Sequence, residues 1–225
     1  MDAAAYDAWY RTPRGSWIGE VEYRLLRRML APSPGDSLLD VGCGTGYFAR
    51  RFAQHAGLFV MGLYPDRDGL DYARAHGGPN EVYIAGDARE LPFPDASFDF
   101  VVSVTALCFI QDQRRALQEI MRVTRKRFAL GLLNRHSALY LQKGRGGGAG
   151  AYRGAHWHTI REVHDLLHGL AVRDVLVRTA VFIPSGGAIA KVFERLAPNS
   201  LRWGAFIAVA GSPCPDDPVR GVRIS

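Results

Sequence analysis

The chain has 225 residues, 48% of them hydrophobic, which is enough for one α/β domain with a full core. Its net charge of +6 is spread along the sequence in small clusters such as Arg122-Val123-Thr124-Arg125-Lys126-Arg127, which argues against a nucleic-acid face. The longest apolar stretch, Val101 to Ile110, falls short of the roughly 18 apolar residues of a membrane span, and Cys43, Cys108 and Cys214 are too scattered for a disulfide framework or a metal site.

In chain order, the acidic start from Met1 to Asp7 lacks the basic-then-apolar order of a secretory signal, so a cytoplasmic location is expected. Apolar residues at helical spacing (Ile18, Val21, Leu25, Leu26, Met29, Leu30) predict a helix from Trp17 to Leu30, stopped by Ala31-Pro32-Ser33-Pro34-Gly35. Strands are predicted over 37–41, 58–63, 81–85, 98–104 and 127–133, with helices over 68–76 and 113–124 among them. This alternation is the pattern of a doubly wound, mostly parallel sheet covered on both faces. The glycine-rich run from Lys143 to Ala151 must be a loop, either a plain connector or a mobile cover. A helix over 159–170 opening on the capping box Thr159-Ile160-Arg161-Glu162 follows, and the tail reads as strand 172–181, helix 189–196 and strand 204–210.

The most informative stretch is Leu38-Leu39-Asp40-Val41-Gly42-Cys43-Gly44-Thr45-Gly46, where a buried strand runs into a turn with three alternating glycines. A carboxylate at the strand end, backbone that a ligand can approach closely, and a helix beginning at Tyr47 together make a small-molecule cradle. The dinucleotide fingerprint needs a small residue three positions after the second glycine, and Tyr47 stands there instead.

Asp40 to Gly46 resembles the first motif of class I S-adenosylmethionine-dependent methyltransferases. Gly86-Asp87-Ala88-Arg89-Glu90-Leu91-Pro92-Phe93-Pro94-Asp95 is similar to the stretch after strand 3 in their ubiquinone/menaquinone-biosynthesis-like, type 11 branch. The resemblance implies a Rossmann-like, seven-stranded sheet with an antiparallel last strand and an N-terminal helical flap. It implies one domain over 1–225: flap and helix at 1–36, cofactor-binding core at 37–133, acceptor side at 134–225. S-adenosylmethionine would be the cofactor and S-adenosylhomocysteine its product. By the same resemblance the cofactor would meet Asp40, Gly42, Cys43, Gly44, Gly46, Pro65, Asp87, Ala88 and Thr105, with Asp87 accepting from the adenine amine. Where the family usually has an acidic residue for the ribose hydroxyls, this sequence has Tyr64, and a phenol can serve one hydroxyl only.

The implied reaction is methyl transfer to a small-molecule acceptor. Tyr6, Tyr10, Trp17, Asn134 and Arg135 are the candidate acceptor residues, since an aromatic face suits a neighbouring sulfonium. His136, His156 and His158 are candidate proton acceptors, the last two sharing one face of an extended stretch. No metal is expected, because no carboxylate cluster resembles the magnesium site of catechol-methylating enzymes. Two other readings stay open: a non-catalytic cofactor-binding relative, and an RNA methyltransferase, which would show steeply salt-dependent polynucleotide binding.

Overall fold

The computed structural model describes residues 2–198 and 200–214, so the last part of the single domain expected over 1–225 lies outside the described residues. Seven strands form one sheet: β1 Ser37–Val41, β2 Phe59–Tyr64, β3 Glu81–Ala85, β4 Phe98–Val104, β5 Thr124–Leu133, β6 Val172–Ala180 and β7 Phe206–Pro213. Their order is β3-β2-β1-β4-β5-β7-β6. All neighbours are parallel except β7, which runs antiparallel to both β5 and β6. Every residue of β4 is buried, as a central strand covered on both faces must be.

Eight α-helices accompany the strands among the described residues: α1 Ala3–Trp9, α2 Pro13–Leu30, α3 Tyr47–Ala56, α4 Arg67–His76, α5 Gln113–Val123, α6 Ala138–Lys143, α7 Ile160–Leu167 and α8 Ala188–Leu196. The expected doubly wound fold is present, with helices on both sides of the sheet. Several boundaries differ from the sequence reading, three of them for identifiable reasons, and one helix is new. Helix α2 begins at Pro13, four residues early, because Thr12 caps the Gly15 amide and Pro13 fits the first turn. Thr124, expected in a helix, opens β5; its hydroxyl donates to the Ile120 carbonyl while its backbone turns extended. Helix α7 stops at Leu167, since His168 is extended and Gly169 left-handed. Helix α1 was not foreseen: it is short, and its buried residue is the charged Asp7.

The core is continuous across both faces. Phe52 of α3, fully buried, meets Tyr23 of α2 at 5.1 Å between ring centres. Asp99 at the base of β4 accepts from the Ser37 amide and hydroxyl, both at 3.0 Å, tying the two central strands together. The sheet order reverses between β1 and β4, and in α/β sheets of this kind ligands bind in the crevice outside the strand ends at that point.

Candidate active site

The turn after β1 occupies that crevice. Gly42, Gly44 and Gly46 all have positive φ, at 82°, 55° and 80°. Two of them are closed in by protein. A Cβ on Gly42 would collide with the Ala106 methyl beyond β4, and one on Gly46 with the Tyr83 hydroxyl. Gly44 differs: a Cβ there would meet nothing within 4 Å, so its backbone borders open space. Gly42 is therefore fixed by packing against the next strand's loop, and Gly44 is the position a ligand can approach.

Asp40 lies beneath the turn, 1% exposed, and its Oδ2 has no hydrogen-bond partner among the described residues. Burial raises its pKa to about 7, with the Ala49 amide pulling the other way. A buried carboxylate lacking a cation is costly unless a partner arrives, and the ammonium end of S-adenosylmethionine is such a partner. Cradle and carboxylate thus fit that cofactor. Thr105, left-handed at φ 58°, closes the opposite side, its amide donating to the Gly131 carbonyl at 2.8 Å. Cys43 is buried, and desolvation pushes its thiol well above the usual range, leaving it inert.

Tyr64 and Asp87 are neighbours on the same rim. Tyr64 pairs with Ala85 across β2 and β3, and the Gly86 amide reaches the Tyr64 carbonyl at 3.3 Å. The Tyr64 ring is half-buried against Gly69. Asp66 does not reach back to stand in for the missing acid. It caps α4, accepting from the Gly69 amide at 3.1 Å. Asp87 is exposed, and Arg89 holds it through contacts of 2.6 to 3.1 Å and lowers its pKa. A carboxylate keeps lone pairs for one more donor in that arrangement. Pro65 is exposed beside Tyr64, and Ala88 is buried beside Asp87.

The flap lies over the cradle and is fastened to it. Asp7 is buried; its Oδ1 accepts from Arg50 Nη2 at 2.5 Å and Thr45 Oγ1 at 3.2 Å, and its Oδ2 from the Tyr72 hydroxyl at 3.1 Å. One carboxylate thus joins α1 to the glycine turn, α3 and α4. Tyr10 stacks on Tyr47 at 3.6 Å, and its hydroxyl lies 3.4 Å from that of Tyr6.

Behind these rings stands Glu22, on the inward face of α2. Burial raises its pKa to about 8, and no charge or hydrogen bond among the described residues offsets the shift. Its charge reaches Tyr6, Tyr10, Tyr47 and Tyr152, all of whose hydroxyls burial holds protonated. Tyr6 also feels Asp40 and Tyr64 and so bridges the cradle and this recess. Tyr152 arrives from the glycine-rich run, which is an ordered loop: the Ala149 amide donates to the Lys143 carbonyl and the Gly154 amide to Gly147, both at 2.9 Å. A separate cavity of about 370 Å³ lies beside Arg14, lined by Ala138, Gln142, Phe182, Pro184 and Trp203.

The remaining candidates divide. Trp17 packs against Gly186 rather than with Tyr6 and Tyr10. Asn134 is fully buried and fully engaged, its Nδ2 donating to the Arg202 and Gly204 carbonyls and its Oδ1 accepting from the His136 amide. Arg135, His136 and His156 are exposed. Arg135 and His156 face Glu162 Oε1 at 3.9 and 3.8 Å. His158 meets His156 at 4.5 Å between rings, yet it is buried, with Nε2 at 2.9 Å from Gln113 Oε1 and Nδ1 at 3.9 Å from the Cys108 sulfur. Burial lowers its pKa to about 4, so it is neutral near pH 7. Sequence reasoning missed Glu22, Tyr47, Tyr152 and the fastening role of Asp7. For Glu22 a signal existed: an acid four residues after Ile18 and four before Leu26, within an apolar stripe.

A family model for a methyltransferase domain matches residues 39–129, the stretch that builds this cradle. An uncharacterized protein of Mycobacterium tuberculosis is 32% identical over 216 residues, covering 93% of this chain and 71% of the relative. A solved structure from Thermotoga maritima, described as an S-adenosylmethionine-dependent methyltransferase and possible histamine N-methyltransferase, superposes with a TM-score of 0.71 at 26% identity, covering 93% of this chain and 95% of that one. The chain is an S-adenosylmethionine-dependent methyltransferase. This methyltransferase is also similar to a malonyl-[acyl-carrier protein] O-methyltransferase of Serratia marcescens, 39% identical over 123 residues, which are 55% of this chain and 45% of that protein. No described helix is long and apolar enough to cross a membrane.

Proposed function

We propose that this methyltransferase acts as a single catalytic domain in the cytoplasm, on a small-molecule acceptor held between the flap and the rim of the sheet. The bound cofactor supplies a methyl carbon activated by a sulfonium. Asp40 would pair with its ammonium, the backbone at Gly44, in the turn that Gly42, Cys43 and Gly46 shape, would let its amino-acid end approach, and Tyr64, Pro65, Asp87, Ala88 and Thr105 would line the nucleoside side. The observation that carries this assignment is the unpartnered, buried Asp40 carboxylate beneath a glycine turn whose middle residue faces open space.

In-line displacement at an activated carbon asks the protein mainly for alignment and exclusion of water. The flap supports both roles, since Asp7 fastens it over the cradle and Tyr6 and Tyr10 bring aromatic surface to the reacting side. Of the three histidines, His136 and His156 are exposed, and His158 is the neutral, enclosed member of the set. The description of the Thermotoga protein as a possible histamine N-methyltransferase supports a small acceptor over a polynucleotide. The decisive experiment incubates the chain and methyl-labelled S-adenosylmethionine with metabolite extract and identifies the labelled product by mass. Label in a small molecule supports the proposal; label only in added RNA, with binding steeply dependent on salt, overturns it.

A further inference from the structure

Glu22 is anomalous for a helix stripe that packs on the sheet. Ile18, Tyr23, Leu26 and Met29 of α2 are buried, and Gly19, one turn before Glu22, has the Tyr47 hydroxyl pressed against it. Glu22 shares this side of the helix yet is only partly buried, so its side chain keeps water-accessible surface. Three arginines of α2 and α3 are committed elsewhere. Arg24 and Arg51 pair with Glu20, and Arg50 pairs with Asp7. The charge of Glu22 is felt by the protonated hydroxyls of Tyr6 and Tyr10 from α1, Tyr47 from α3 and Tyr152 just past the glycine-rich loop, and the Tyr10 and Tyr47 rings are stacked at 3.6 Å.

A carboxylate with no ion pair among the described residues, near tyrosine hydroxyls and the stacked Tyr10 and Tyr47 rings, is complementary to one class of guest. Ring faces attract cations, and a buried negative charge is stabilised by a positive hydrogen-bond donor. An anionic guest would oppose ionisation of Glu22 and a neutral hydroxyl would leave it protonated, whereas a cation stabilises the carboxylate. We propose that the methyl acceptor is a primary or secondary amine, bound as its ammonium form against Glu22, whose carboxylate also takes the proton that must leave nitrogen before transfer. This rests on the small-molecule reading above and names its substrate class. The proton moves from the ammonium to a Glu22 oxygen, freeing the nitrogen lone pair. That pair forms the new nitrogen–carbon bond while the methyl carbon's bond to sulfur breaks, its electrons remaining on sulfur. The product leaves as a methylated ammonium, and Glu22 returns its proton to solvent.

The test uses the full chain with S-adenosylhomocysteine filling the cradle. Calorimetry compares methylamine, butylamine and phenethylamine with methanol, butanol and 2-phenylethanol, and with phenylacetate. Wild type should bind at least one amine at least about tenfold more tightly than the matching alcohol. Repeated in buffers of different ionisation enthalpy near pH 7, binding should release about one proton, because Glu22 gives up its own when the ammonium arrives. Glu22→Gln should lose both the preference and the proton release while retaining wild-type affinity for S-adenosylhomocysteine, which reports an intact fold and cradle. Equal binding of amines and alcohols by wild type, or an unchanged amine preference in Glu22→Gln, overturns the assignment. Labelled-methyl transfer separates it from the broader reading. Transfer to hydroxyl acceptors alone, at equal rates in both proteins, removes Glu22 and leaves small-molecule methylation standing. Label appearing only in RNA removes both the amine acceptor and the broader reading.

Discussion

The cradle and the recess differ in what they are made of. The cradle is backbone: a strand end, three left-handed glycines and one carboxylate, all within Asp40 to Gly46. The recess is side chains: Tyr6 and Tyr10 from α1, Glu22 from α2, Tyr47 from α3 and Tyr152 from a distant loop, with Tyr6 facing both regions. Backbone recognition suits the part of a reaction that does not vary, and side-chain recognition suits an acceptor that differs between enzymes of one fold. The two regions should therefore fail in different ways.

The largest effect belongs to the cradle. Gly44→Val should abolish S-adenosylhomocysteine binding by calorimetry, because its side chain would enter the open space over the turn. The fold should survive at a strain of about 1–3 kcal/mol for a left-handed branched residue. Gly42→Val should instead lower the melting temperature outright, through its clash with Ala106. Unchanged affinity in Gly44→Val would show that the cofactor does not approach there.

Asp40 predicts a pH dependence. Its folded pKa of about 7 lies above the unfolded carboxylate value near 4, so the protonated form is the one the fold favours. That contribution is fully present below about pH 4 and is lost as pH rises through about 7. Thermal melts of the ligand-free protein should weaken over this window by a few kcal/mol, and Asp40→Asn should flatten that loss. Glu22, raised to about 8, acts in the same direction and should leave a residual slope at higher pH. A flat wild-type profile between pH 5 and 8 contradicts the burial of an unpaired Asp40.

Asp7 tests the connection between the two regions. Asp7→Ala leaves Arg50 and Thr45 without their partner and should cost about 2–3 kcal/mol. Amide exchange should quicken over residues 3–9 and stay unchanged in β4. Full protection of α1 in the variant would mean that the aromatic stack with Tyr47 alone holds the flap. The smallest effect is expected at Tyr64, where Tyr64→Asp restores the usual acid beside Ala85 and Gly86. S-adenosylhomocysteine affinity should stay within about threefold of wild type or tighten, whereas a tenfold loss, about 1.4 kcal/mol, places the ribose elsewhere.

The strands, the order of elements and the cradle were legible in the sequence because each is local. Alternating apolar runs mark strands, glycines mark the turn, and Thr159 with Glu162 marks the start of α7 through bonds spanning three residues. Asp40 and the glycines are contiguous, so their relation needs no knowledge of what packs on them. Residues whose roles depend on distant partners were not legible in this way. Asn134 and His158 looked like site residues by position, and only the arrival of the 202–205 segment and of Gln113 engages their polar atoms within the protein. Asp7 and Glu22 carry the same carboxylate, and nothing in their neighbouring sequence says that one meets Arg50 across 43 residues while the other meets no cation among the described residues. The sequence by itself determined where backbone conformation makes a binding surface. The tertiary structure decided which buried charges find partners and which remain for a ligand, because electrostatic pairing acts between groups that only the fold brings within a few ångströms.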